Sequence, residues 1–123
     1  MQQVIFTTDK SVLSALYEKL NLGVVKGANF VLLDGDKPVG VSRMTIDEEV
    51  TIDNLSILPE YDDFGSRDFF FRTLLYKLSL NDYVVVVDKV DERLKKFGFT
   101  EENGKMAVQS KKIIFPHSCG CKG

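Results

Sequence analysis

The one histidine of the chain, His117, stands close to its only two thiols, Cys119 and Cys121, in the segment Pro116-His-Ser-Cys-Gly-Cys-Lys-Gly123. Three borderline or soft ligands at alternate positions can hold part of a zinc or iron–sulfur site. A structural zinc site needs four ligands, so the fourth would come from a carboxylate, water or a second subunit. A strained Cys-x-Cys redox pair is another use. A mobile tail with free thiols is the reading that the position favours, ahead of metal and redox. Cysteines so placed cannot staple a core, and in a reducing compartment they are thiols or metal ligands.

Charge is the second chemical feature. The chain has 123 residues and a net charge of −2, poor footing for a phosphate-backbone binder, so nucleic acid is not expected as a partner. The charge is unevenly spread. Asp34 to Asp68 contains ten acids against Lys37, Arg43 and Arg67, whereas Lys89 to Gly123 contains eight bases and four acids. An acidic middle attracts a cationic substrate such as an amine. The alternative is a solvated sheet edge with its turns.

The elements that would position these groups follow from periodicity. Gln3 to Thr7 reads as a strand. Thr8 or Asp9 then caps a helix whose apolar stripe is Leu13, Leu16, Tyr17 and Leu20. Asn29 to Leu33, Pro38 to Ile46 and Val50 to Leu58 read as an antiparallel meander, turned first at Asp34-Gly35-Asp36 and stopped by Pro59. A long helix follows, with Phe71, Leu74, Leu75 and Leu78 on one face, widened by Phe64 and Phe70. The run Tyr83 to Val87 is β-branched throughout after its tyrosine, which suits a strand covered on both faces, as in a parallel pair. Asp91 to Lys96 reads as a short helix closed at Gly98, and Asn103-Gly104 as a hairpin before a last strand from Lys105 to Phe115. The order is β-α-β-β-β-α-β-α-β-β, one domain over residues 1–115 with a tail over 116–123.

That order, together with Ile52-Asp-Asn-Leu-Ser-Ile-Leu-Pro-Glu-Tyr61, Asp-Asp-Phe-Gly-Ser-Arg67 and a long apolar helix, resembles the GNAT acetyltransferase superfamily. Phe97-Gly98-Phe99 is similar to that family's Leu-Gly-Phe, and Asn103-Gly104-Lys105-Met106 to its final hairpin. The resemblance covers nearly the whole chain. It implies a mixed α/β (α+β) fold: a mostly antiparallel sheet of six or seven strands, helices on both faces, and a splay between the strand ending at Leu58 and the strand Tyr83–Val87. It also implies transfer of an acetyl group from acetyl-CoA to a primary amine of a small molecule or protein.

By the same resemblance, Ser56, Ile57, Leu58, Asp63, Phe64, Gly65, Ser66 and Arg67 bind the cofactor. A helix start presents unpaired N–H groups and a partial positive charge to a pyrophosphate, and glycine permits close approach. The backbone N–H of Ile57, or of Ser56 if the register slips, polarises the thioester carbonyl, and Asp53 takes the amine proton. Four departures stand out. Asp62 occupies a position where a base or amide is usual, Arg67 one where a small residue is usual, and Leu94 one where a tyrosine commonly protonates the thiolate. Only one helix fits after the first strand, where the family usually has two. Arg67 can pair with the pyrophosphate or fill its space, and Asp62 or Asp63 can simply cap the helix. Tyr61 and Tyr83 are alternative acids, each with core packing as the competing role. Arg93, Lys95, Lys96 and Arg72 are candidates for the 3′-phosphate, against an ordinary solvated face.

Three functions remain open: the N-acyltransferase; a non-catalytic CoA- or protein-binding module on the same fold; and a metal- or redox-linked protein acting through the tail. No apolar run suits a bilayer span and no signal-peptide pattern opens the chain, so no membrane contact and a cytoplasmic location are expected. The oligomeric state is left open, a homodimer included.

Overall fold

A computed structural model describes residues 1–116; the candidate metal ligands His117, Cys119 and Cys121 lie outside the described residues. Strand β1 (Gln2–Thr7) leads into helix α1 (Lys10–Leu20). The Asp9 side chain accepts the N–H groups of Ser11 and Val12, which a helix start leaves without partners. The Ser11 hydroxyl, followed by those two amides, holds the Asp9 carboxyl below its ordinary pKa. Leu13, Leu16 and Tyr17 form the buried stripe, and Asn21 ends the helix in the left-handed region at φ 58°. The connection from Asn21 to Gly27 contains no second helix, as the sequence indicates.

Strands β2 (Ala28–Asp34), β3 (Lys37–Ile46) and β4 (Val50–Ile57) form the meander. Gly35, at φ +65°, supplies the backbone that its two-residue turn requires. A 3-10 turn at Pro59–Tyr61 leads to helix α2 (Phe64–Ser79), then to β5 (Val84–Val87), a 3-10 segment (Glu92–Phe97), β6 (Thr100–Glu102) and β7 (Lys105–Gln109). The seven strands are ordered β1-β2-β3-β4-β5-β7-β6. Every pair is antiparallel except β4–β5, the parallel pair that the valine run anticipates.

The two helices lie on opposite faces. Tyr17 of α1 donates its hydroxyl proton to Asn29 Oδ1, and Gln2 Nε2 donates to Ser66 Oγ of α2 at 2.8 Å. Pairing of β1 with β2 is unshifted from Gln2↔Asp34 to Thr7↔Asn29, an odd number of steps, so Gln2 and Asn29 project from opposite faces. Phe70, Leu74 and Leu75 of α2 and Leu16 and Tyr17 of α1 are buried in the core cluster with Val31, Val41, Val85 and Met106 of the sheet.

The end of the chain departs from the expected long last strand. The ladder ends at Ser110: its N–H still bonds Tyr83 O at 2.8 Å, but its hydroxyl, rather than its carbonyl, accepts the Tyr83 N–H at 2.9 Å and donates to Asn81 O. A 3-10 turn at Ser110–Lys112 then sends the chain along α2. Ile114 N–H bonds Phe97 O at 2.8 Å, Phe115 packs edge-on against Tyr76, and Arg72 Nη1 holds Pro116 O at 2.6 Å. The predicted short helix Asp91–Lys96 is the 3-10 segment Glu92–Phe97, capped by Asp91 and closed by Gly98 at φ +96°.

Candidate functional site

Parallel pairing joins only Val50, Thr51 and Ile52 of β4 to Val85, Val86 and Val87 of β5. β4 continues to Ile57 while β5 ends at Val87, so the strands part and one edge of β4 is open from Asp53 onward. Successive peptide groups of a strand point to opposite edges. Leu58 N–H bonds Val39 O of β3 at 2.8 Å, so the Ile57 N–H faces the opening and the Ser56 N–H faces β3. Of the two candidate donors, Ile57 therefore lies on the accessible edge.

Asp53 is set by an irregularity. Arg43 pairs with Asn54 and Met44 with Ile52, leaving Asp53 as the extra residue of a bulge, a device that re-aims a side chain. Its carboxylate accepts from Arg43 Nε at 2.8 Å, and the Arg43 guanidinium lies 5.9 Å from the Tyr17 ring centroid. The bond from Asp53, outweighing partial burial, raises the Arg43 pKa. Arg43 Nη1 is buried without a partner among the described residues, so the Asp53 contact is the main satisfied bond of this cation. Sequence reasoning missed Arg43. The available signal was a lone cation inside the otherwise uncharged run Pro38–Ile46. Beside it, the Ser56 hydroxyl donates to Asn54 Oδ1 at 2.7 Å.

The helix start carries both features read from the sequence. Asp63 is the cap: its Oδ1 accepts Ser66 N–H at 2.7 Å, and its carbonyl accepts Arg67 N–H at 3.0 Å. The N–H groups of Phe64 and Gly65 have no partner among the described residues. A Cβ built at Gly65 would meet only Asp63 Oδ1, at 3.5 Å, so the approach to that backbone is open. Arg67 does not fill this space. It forks onto Asp62 through Nε–Oδ1 at 2.6 Å and Nη2–Oδ2 at 3.0 Å. The backbone thus suits an anion, and the Asp62 charge is matched by Arg67. The Asp63 charge remains beside the two free donors.

The other candidates have structural partners. Leu94 is 8% exposed and belongs to the core, with no hydroxyl to offer. Tyr61 lies under the Lys37 ammonium, 5.2 Å from the ring centroid, and their bond raises the Lys37 pKa. Tyr83 is half-buried against the core. Arg93 is forked onto Asp91, which raises the Arg93 pKa, and Lys95 pairs with Glu92 at 2.9 Å. Lys96 and Arg72 stack on Phe97, and Arg72 also pairs with Asp68. Two concavities lie elsewhere. One of about 600 Å³ is lined by Val84, Val86, Thr100 and Ala107, and one of about 580 Å³ lies beside Ser14, Tyr17 and Val25. Neither is lined by residues 53–67, although the second shares Tyr17 with the Arg43–Asp53 pair. Among the described residues no helix is long and apolar enough to cross a membrane.

By sequence, no family model matches the chain, and no curated protein does. Solved structures do match. The ribosomal-protein-S18-alanine N-acetyltransferase from Escherichia coli superposes with a TM-score of 0.63 at 14% identity, over 89% of this chain and 94% of that one. A GNAT family acetyltransferase from Brucella melitensis, in complex with acetyl-CoA, gives 0.60 at 9% identity, over 89% and 88%. A KacTA–DNA complex gives 0.60 at 13% identity, over 90% and 94%. Strand order, the parallel β4–β5 pair and the parting of those strands agree with this likeness: the chain has the fold of the GNAT acetyltransferases.

Proposed function

We propose that the chain is an N-acyltransferase that takes an acetyl group from acetyl-CoA and delivers it to a primary amine. The observation that carries this reading is the open edge of β4, which ends at a helix start holding two unpartnered N–H groups and an unobstructed glycine. Phe64 and Gly65 would donate to the pyrophosphate of the acyl donor, aided by the positive end of α2. Ile57 N–H would donate to the thioester carbonyl oxygen, where negative charge grows as the amine nitrogen attacks. Asp53, its position fixed by Arg43, would accept the amine proton directly or through water. As the C–S bond breaks, water would protonate the departing thiolate, because Leu94 supplies no acid.

Ser56 and Leu58 would shape the strand edge, and Asp63, Ser66 and Arg67 would order the turn. The acceptor is a small-molecule or protein amine, a cation at neutral pH before deprotonation, which suits the acidic stretch from Asp34 to Asp68. The net charge of −2 argues against a nucleic-acid acceptor. The buried Leu94 and the engaged Asp53 favour one other reading, a non-catalytic module that binds CoA or a protein on this fold. Thiol release from acetyl-CoA in the presence of mixed primary amines separates the two. Amine-dependent release supports the enzyme; saturable binding without release leaves the binding module.

A further inference from the structure

Asp53 and Arg43 are joined by one bond, from Nε to Oδ1. Arg67 and Arg93 instead fork onto their carboxylates through Nε and Nη2 together. Nη2 lies on the same edge of a guanidinium as Nε, yet among the described residues Arg43 Nη2 donates to nothing and Asp53 Oδ2 accepts from nothing. Arg43 Nη1 is unpartnered as well, and buried. A guanidinium whose side chain is only 14% exposed and makes one bond is short of an anion, since unmet charged donors are costly. The surroundings of this gap are fixed. A Cβ on Gly27, at φ +72°, would lie 2.8 Å from Met44 O and 3.2 Å from Arg43 Cγ, so the connection after α1 presses on the arginine stem. Arg43 is paired directly with Asn54 and with Asn29, so these side chains share the face that α1 covers. The Ser56 hydroxyl donates to Asn54 Oδ1 and leaves the Asn54 NH2 group as an unused donor. Of the unused groups only Nη1 is buried, so the others are open to a ligand.

We infer that the acceptor is a free α-amino acid, whose amine meets Asp53 Oδ2 and whose carboxylate meets Arg43 Nη2 and the Asn54 NH2 group. This rests on the acyltransferase reading, in which Asp53 is the base. The Arg43–Asp53 pair carries no net charge, so it suits a ligand with both charges on neighbouring carbons, each beside its counter-charge. A polyamine or a peptide N-terminus brings a cation alone and leaves Arg43 unmatched. A phosphate group sets further negative charge against Asp53. The carboxylate bond to Arg43 holds the amine nitrogen at Asp53, which takes its proton as it attacks the thioester carbon. The acyl donor comes from α2, on the other face of the sheet, so donor and acceptor enter from opposite sides.

The test is thiol release from acetyl-CoA with an equimolar mixture of the standard α-amino acids, and with the mixture of their α-carboxamides, which keep the amine and lose the negative charge. At equal low concentration the acids should give an initial rate at least about tenfold higher, the scale of one charge-assisted hydrogen bond. Arg43→Lys and the milder Asn54→Ala should each shrink that ratio at unchanged circular dichroism. A second measurement needs no turnover. Glycine added to the isotopically labelled chain should shift the Arg43 and Asn54 amides saturably, and glycinamide should not. Release without preference for the acids overturns the amino-acid assignment and leaves the acyltransferase standing. No release from either mixture, with glycine still saturating Arg43 and Asn54, overturns the acyltransferase and leaves the zwitterion site. No saturable shift at either residue with glycine overturns the site.

Discussion

Asp63→Asn separates the two roles of the helix start. The Asp63 carboxylate caps α2 through Ser66 N–H and stands 3.5 Å from a Cβ position on Gly65, beside the free N–H groups that would hold a pyrophosphate. Asparagine caps about as well as aspartate, so the bond to Ser66 survives while the charge goes. A phosphate oxygen over Gly65 would lie roughly 5 Å from the carboxylate. Repulsion between unit charges at that distance in water is about 0.8 kcal/mol. A pyrophosphate carries two charges and salt screens part of the effect, so relief of about 1–2 kcal/mol is expected. That is roughly 5–30-fold tighter binding of CoA. Calorimetric titration of both proteins at low and at high salt measures it, and the gain should shrink as salt rises. Loss of a favourable charge at a helix start costs about 0.3–1 kcal/mol, so the melting temperature should fall only slightly. Unchanged or weaker CoA binding by a folded Asp63→Asn protein at low salt would refute the placement of the pyrophosphate.

Gly65→Val should leave the fold intact, since only Asp63 Oδ1 is near, while weakening CoA binding by blocking the backbone; calorimetry alongside thermal unfolding checks both. Asp53→Asn should lower amine-dependent thiol release by about 10²-fold at unchanged CoA affinity, the usual scale for a general base. Unchanged turnover across pH would leave Asp53 as a partner of Arg43 alone. Leu94→Tyr should overpack the core and cost roughly 1–3 kcal/mol with no gain in turnover, read as a lower melting temperature in the same sample used for the assay.

Much of this arrangement is legible in the sequence because it depends on local chemistry. Apolar spacing along Leu13, Leu16 and Tyr17 marks α1, and the valine run marks the one parallel strand. Gly35 and Asn103-Gly104 mark two-residue hairpins through the positive φ they accept. A capping role for Asp62 or Asp63 follows from their position before the long helix, and the structure gives it to Asp63. What escapes a linear reading depends on partners distant in the chain. The Arg43–Asp53 bond requires a bulge that shifts β4 by one residue against β3, and no periodicity announces it. The last strand is cut short because Ser110 finds Asn81 O and Tyr83 N–H, contacts made only after β5 is in place. Whether Arg67 pairs with the pyrophosphate or fills its space is open in the sequence, and a bond to Asp62 is not foreseen there. The fork onto Asp62 resolves it in the free protein, since a carboxylate five residues away offers a planar match to the guanidinium.

The central claim is that acetyl-CoA binds between the open edge of β4 and the start of α2. Amide chemical shifts recorded while acetyl-CoA is titrated into the isotopically labelled chain test it most directly. The account predicts saturable shifts centred on Ile57, Phe64 and Gly65, with Ser14 and Ala107, which line the two concavities, unmoved. Saturable shifts confined to either concavity, or no saturable shift at millimolar acetyl-CoA, would contradict it.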